Sequence, residues 1–255
     1  MPEFPDISAP DGSTSSPART YAKLIGEAVA ETLWPTRCAV CDVPGAVLCR
    51  SCRLMLPFID QCRACPRCGA PFGRVQCTEC NDIVLAASGR SVLPFDGCVC
   101  AATFDETTAR VIRTWKDAGE RRLKGDMADL MAAAIPPEWL YDLSAVLCIP
   151  ASRAALRQRG FDHGQLLGSA VADRLNLPCA PALARPCSAD QRKLGRKARI
   201  SNTAGRFATL PGATVPKSVL LVDDVYTTGA TLFNACDALR AAQVQTIRCV
   251  TFARV

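Results

Sequence analysis

Residues 218–231 read SVLLVDDVYTTGAT, and the reading of this stretch decides the fold. Val219, Leu220, Leu221 and Val222 form the unbroken apolar run expected of a parallel strand buried on both faces. Asp223 and Asp224 close the run; Thr227, Thr228, Gly229, Ala230 and Thr231 follow, and then Leu232, Ala235 and Leu239 recur at helical spacing as far as Ala242. The order is strand, loop, helix. A helix start offers unpaired N–H groups and a partial positive charge, Gly229 admits close backbone approach, and the threonine hydroxyls add donors, so one phosphate monoester fits there. The two carboxylates would repel that phosphate. They suit ribose hydroxyls, and they hold negative charge where a sugar cation could develop. The plainer reading makes Asp223 and Asp224 turn acids and the threonines an ordinary N-cap. No Gly-rich run is followed by Gly-Lys-Ser/Thr, which argues against a P-loop.

This segment resembles the phosphoribosyl-pyrophosphate (PRPP) signature of type I phosphoribosyltransferases. The resemblance implies that Asp223 and Asp224 take the ribose 2′ and 3′ hydroxyls and act as the catalytic acids. It also implies that Tyr226, Thr227, Thr228, Gly229, Ala230 and Thr231 form the phosphate-binding turn.

Cysteine gives the second signal. There are 16 in 255 residues, most of them between positions 38 and 100. Four CxxC pairs occur in order: Cys38/Cys41, Cys49/Cys52, Cys65/Cys68 and Cys77/Cys80. The intervening loops, 42–48 and 69–76, are of similar length, which marks an internal duplication. Two CxxC turns supply the four thiolates of a tetrahedral ion, so eight cysteines predict two structural Zn²⁺. Which pairs share an ion stays open. Gly69 is placed for a left-handed turn that would aim amide N–H groups at the sulfurs. Disulfides are the competing reading, opposed by the lack of a secretory signal pattern. Cys62 is left over, and Cys98, Cys100, Cys148, Cys179, Cys187, Cys236 and Cys249 lie in apolar segments as small core residues.

The composition, 49% hydrophobic, suffices for a sizeable core. No apolar run approaches the roughly 20 residues needed to span a bilayer, so no membrane insertion and a cytoplasmic location are expected. Residues 1–20, rich in Pro, Ser and Asp, read as a disordered tail, and 21–35 as an amphipathic packing helix. The double zinc ribbon is placed at 36–82 and the larger domain at 83–255. Thirty Lys and Arg against 24 Asp and Glu give a net charge of +6, which favours a polyanionic ligand without establishing nucleic-acid binding.

Between the two signals, residues 91–105 read as a hairpin turning at Pro94 to Gly97, and 107–115 as a helix stopped by Gly119. Residues 126–135 read as a further helix, and 145–149 as a buried strand running into Pro150, Ala151, Ser152 and Arg153. That loop is a second ligand candidate. It stands at the end of a parallel strand, and Ser152, Arg153, Arg157 and Arg159 are donors suited to pyrophosphate, or else an ordinary solvated basic helix start.

Taken in order, the knuckles, Trp115-Lys116 with Gly119, CIPAS, Arg159-Gly160-Phe161, the 188–202 stretch and VDDVYTTGAT resemble the ComF family of competence-associated proteins over about residues 36–255. The resemblance implies a type I phosphoribosyltransferase-like parallel sheet with flanking helices, preceded by a Cys₄ double zinc ribbon. It also implies Mg²⁺ with PRPP or a related ribose phosphate, and a link to DNA uptake and its proteins. The family's RGFNQ stands here as Arg159-Gly160-Phe161-Asp162-His163. His163, the chain's sole histidine, reads as a general base, a zinc ligand or a capping residue. The family's Thr-x-x-Gln and Arg-x-x-Asn appear as Ser188, Gln191, Arg199 and Asn202. Gln191 and Arg199 are thereby expected at pyrophosphate, with Arg192, Lys193, Arg196 and Lys197 in the same closing loop or merely solvated. Three functions follow: a PRPP-dependent transferase of unknown acceptor, a single-stranded DNA adaptor, and a PRPP sensor without turnover.

Overall fold

The computed structural model describes Thr32, residues 35–184 and residues 207–255. In chain order its elements are α1 (Arg50–Leu54), α2 (Asp82–Ala87), β1 (Gly97–Thr103), α3 (Glu106–Lys116), α4 (Leu123–Ala134), a 3₁₀ turn (Pro137–Tyr141), β2 (Ala145–Cys148), α5 (Arg153–Arg159), α6 (His163–Leu175), β3 (Cys179–Ala180), β4 (Leu183–Ala184), β5 (Ala208–Thr209), β6 (Ser218–Tyr226), α7 (Ala230–Ala241) and β7 (Thr246–Arg254). Five strands form one parallel sheet in the order β1-β7-β6-β2-β3.

The strand in the opening quotation lies in the middle of that sheet, and its side chains divide between two cores. Leu220 and Val222 join Trp115, Met127, Leu167, Val250 and Phe252 on one face. Val219 and Leu221 join Leu232, Ala235, Leu239 and Cys249 on the other. Period-two alternation with both faces covered explains the continuous apolar run, each buried aliphatic contributing about 1.5–3 kcal/mol. Helices α4 and α6 pack together on the first face.

The strand runs four residues past Val222, so Asp223 and Asp224 lie within it instead of in a following turn. Its partner β7 is nine residues long and carries the pairing to Asp223↔Thr251 and Tyr226↔Arg254. The hairpin expected over 91–105 is absent: only β1 forms, and it pairs in parallel with β7. Asp96 sets that arrangement. Its N–H donates to the Ile247 carbonyl at 2.8 Å, while its carboxylate accepts from Ile247 N at 2.7 Å and from Arg240 at 2.9 Å.

The helices fall close to the expected bounds. Asp105 and Thr108 form a reciprocal capping box at the start of α3, and Gly119, at φ +74°, follows its end. No helix among the described residues is long and apolar enough to cross a membrane. The first cysteine group is built into the main core, since Cys38, Leu48, Cys52 and Leu56 belong to the cluster containing Trp115 and Phe252. The second has a small cluster of its own, made by Cys65, Cys68, Ala70 and Cys80.

Candidate functional site

At the carboxyl end of β6 the chain turns through Thr227 and Thr228, both exposed, into Gly229. Gly229 has φ +77°, and a Cβ there would lie 2.7 Å from the Phe233 ring and 2.8 Å from the Tyr226 ring, so only glycine can start α7 in this way. No side chain of the N-cap residue caps the helix. Thr228 Oγ1 lies 3.4 Å from Ala230 N. The turn therefore has the open helix start and hydroxyls that the sequence suggested, with Ala230 exposed and Thr231 half-buried. Tyr226 is different. The residue is 4% exposed, its ring packed beneath the Arg254 guanidinium at 4.1 Å and against Gly229, and burial raises its pKa.

Asp223 is half-buried, and its Oδ1 accepts from Asp224 N at 3.0 Å. Asp224 is 7% exposed, and its Oδ2 is ion-paired with Lys116 Nζ at the end of α3. His163, the first residue of α6, turns Nε2 toward the same oxygen at 3.9 Å. Its other nitrogen, Nδ1, stands 3.4 Å from Arg159 Nη1. A guanidinium has only donors, so Nδ1 accepts, and the proton of the neutral ring sits on Nε2, facing Asp224. Burial lowers the His163 pKa, helped by the charges of Lys116 and Arg159 and opposed by Asp224, which keeps the ring neutral. Arg159 is held by Asp117 at 3.1 Å, and Trp115 meets His163 edge-on at 5.7 Å. Arg121 lies over Phe161 at 4.7 Å.

Two separate sequence motifs, 115–121 and 159–163, are thus joined around one acid of a third. The pairing of Lys116 with Asp224 is the contact that sequence reasoning did not assign: a lysine in the last turn of a helix reads as an ordinary complement to the helix dipole. Its neighbour Trp115, fully buried, was the available sign that this helix end turns inward.

The 150–153 loop comes to the same edge of the sheet. Ser152 Oγ caps α5 by accepting from Ala155 N at 3.1 Å, and Arg153 and Arg157 are exposed, whereas Arg159 is committed to Asp117 and His163. Asp162 has a clear structural role: it accepts from Gln165 N at 3.0 Å as the cap of α6 and from Ala151 N at 3.2 Å. It thereby ties the loop to the helix. Gly164 completes that joint, because a Cβ on it would fall 1.9 Å from the Ile149 carbonyl oxygen. Ser188, Gln191, Arg199 and Asn202, with the basic cluster Arg192, Lys193, Arg196 and Lys197, lie outside the described residues, as do Cys187 and the expected 1–20 tail and most of the 21–35 helix. A short antiparallel ladder, Leu183↔Thr209 and Ala184↔Ala208, flanks the 185–206 stretch on both sides.

The cysteines assemble as two quartets, Cys38 with Cys41, Cys49 and Cys52, and Cys65 with Cys68, Cys77 and Cys80, each with its sulfurs within 4.8 Å of one another. Consecutive CxxC pairs therefore share a site. Sulfur separations of 3.7 Å (Cys41 to Cys49), 3.7 Å (Cys65 to Cys80) and 3.6 Å (Cys68 to Cys77) match the edge of a tetrahedron. With a metal–sulfur distance of about 2.3 Å that edge is about 3.8 Å, far from the roughly 2.05 Å of a disulfide. Cys49 N and Glu79 N each point at a sulfur at 3.4 Å. Gly69 takes its left-handed turn at φ +73°, but its N–H donates to the Cys65 carbonyl at 2.9 Å instead of to a sulfur. Cys62 is exposed and outside both quartets.

Residues 164–255 match the phosphoribosyl transferase domain family. The chain is 26% identical over 208 residues to "Competence protein ComFC" of Bacillus subtilis (strain 168), an alignment covering 77% of this chain and 79% of that protein. Adenine phosphoribosyltransferase from Leishmania donovani aligns in structure over 56% of this chain and 68% of that one, at 15% identity and a TM-score of 0.27, too loose to carry weight. Cysteine quartets ahead of a parallel sheet, a match to the phosphoribosyl transferase domain family at its end and an alignment with a competence protein over most of both lengths agree with the resemblance to the ComF family.

Proposed function

We propose that this protein binds PRPP or a closely related ribose phosphate at the end of β6. In this reading Asp223 and Asp224 accept from the ribose 2′ and 3′ hydroxyls. The open start of α7, with Thr227, Thr228 and Thr231, takes the 5′-phosphate. Arg153, with Gln191 and Arg199, meets the pyrophosphate. The observation that carries the reading is the placement of two carboxylates beside an uncapped helix start at the carboxyl ends of parallel strands, the usual ligand edge of an open α/β sheet. The carboxylates and a pyrophosphate are the hard oxygen donors that Mg²⁺ takes, and the ion when bound would neutralise the leaving group. The cysteine quartets would each hold one structural Zn²⁺. A part in competence is carried over from the Bacillus relative's name, and the link to DNA uptake from the family resemblance.

A second reading, binding without turnover, is favoured by Lys116. An oxocarbenium-like transition state is stabilised by negative charge near the anomeric carbon, and the Lys116 ammonium neutralises one of the two carboxylates that would supply it.

The test is thermal melting with PRPP and Mg²⁺, since a ligand of the folded state alone raises the midpoint. A clear rise in wild type that is lost in Asp223→Asn/Asp224→Asn supports the site; an equal rise in both overturns it. Pyrophosphate release with candidate acceptors then separates transferase from sensor.

A further inference from the structure

The phosphate turn does not end at a wall. Beyond Thr228 and Ala230 a groove of about 490 Å³ opens, bounded by Phe233 and Asn234 on α7 and by Ser88 and Arg90 on the segment after α2. That volume lies within the about 300–1,000 Å³ of ordinary small-molecule sites. A free 5′-phosphate, held at the Thr228 and Ala230 end, would fill only a small part of it.

The lining has a specific chemistry. Asn234 is only 9% exposed, faces the groove, and makes no side-chain hydrogen bond among the described residues. The little surface the side chain keeps is on the groove, so its amide donors and acceptor are available to a ligand bound there. Arg90 is laid over the Phe233 ring at 5.1 Å and held there by a two-point pair with Asp237, at 3.1 and 2.5 Å. Asp237 cancels its charge, so what Arg90 offers is a fixed guanidinium plane; such planes stack on bases. Asn234 follows Ala230 by four residues, just over one helical turn and about 6 Å along the axis. A group attached to the far side of a phosphate at the turn would therefore come level with the amide and the plane.

Resting on the 5′-phosphate assignment above, we infer that the groove holds a nucleotide unit joined through that phosphate. The ligand would be a ribose whose 5′-phosphate continues as a pyrophosphate or phosphodiester into a base-bearing group. The base stacks at Arg90, and its edge is read by Asn234. Such a unit occurs in a free dinucleotide and at the 3′ end of a single strand, where a DNA strand keeps only the 3′ hydroxyl for the acids.

Calorimetry with ribose 5-phosphate, ADP-ribose and a (dT)₆ strand tests this in wild type, Asn234→Leu and Arg90→Lys. The leucine keeps the volume but removes the amide, and the lysine keeps a charge for Asp237 but removes the plane. ADP-ribose should bind wild type at least tenfold more tightly than ribose 5-phosphate. Both variants should lose that gain while binding ribose 5-phosphate as before, with unchanged melting temperature. Competition by (dT)₆ that both variants weaken assigns the groove to a strand, and its absence assigns it to a dinucleotide. Equal affinity for the two riboses in wild type, or a gain that survives both substitutions, overturns the inference and leaves the phosphate site standing. No binding of ribose 5-phosphate overturns both together.

Discussion

Lys116 and Asp224 form an ion pair between the end of α3 and the end of β6, with side-chain exposures of 18% and 9%. A pair so enclosed is weak evidence for stability as a whole, but removing one partner strands the other. Lys116→Met should therefore destabilise the fold by about 3–5 kcal/mol, and Asp224→Asn added to it should recover much of that loss. Urea unfolding of the two single variants and the double variant measures the coupling; additive effects would mean the two side chains do not interact.

His163 predicts a pH dependence with a definite sign. Its folded pKa is lowered from 6.5, chiefly by burial, so in the range between the two values the unfolded chain binds the extra proton. Stability should fall as pH drops below about 6.5 and level off beneath the lowered value. His163→Gln, which keeps an N–H donor without titrating, should flatten that part of the profile. Parallel profiles in melting scans would mean that the ring is not buried neutral.

Gly164→Ala should break the joint between α6 and β2, because the added methyl meets backbone, which cannot rotate away. Overpacking of this kind costs about 1–3 kcal/mol or more. The shift should also loosen the Ala151 to Asp162 contact, and any binding of PRPP at the proposed site should weaken with stability. Wild-type melting and affinity would contradict the geometry.

Metal removal should affect the two quartets unequally. Cys52 lies in the main core, so Cys52→Ser should lose one metal equivalent and lower the melting temperature of the whole chain. Cys77 belongs to the smaller cluster, so Cys77→Ser should lose one equivalent with local loss of amide protection around 63–80. Metal analysis and hydrogen exchange report the two effects, and equal global destabilisation would refute the difference.

Much of this was legible in the sequence because it depends on local pattern. The run at 219–222, the four CxxC spacings and the TTG turn each encode their geometry within a dozen residues. What escaped was long-range. The false hairpin over 91–105 arose because Pro94 to Gly97 is a sound turn signal, and nothing nearby indicates that β1 takes its partner from 246–254. Lys116 escaped for the same reason: its partner lies far along the chain, and its local meaning is a helix end. Asp162 and His163 carried no pattern of their own, and only the fold assigns one to the loop joint and the other to Asp224.

Strand β7 is hydrogen-bonded to β1 on one side and β6 on the other, and its Arg254 donates to the Cys68 carbonyl at 2.8 Å. On the ribosome this strand emerges about 150 residues after β1, or roughly 7–30 s later at about 5–20 residues per second. Throughout that interval β1 has no sheet partner and the second knuckle lacks its anchor, and once β6 is made its edge is open too until β7 follows. A chain stalled or cleaved before Thr246 would thus be two unjoined halves exposing strand edges, a natural substrate for chaperones and proteases.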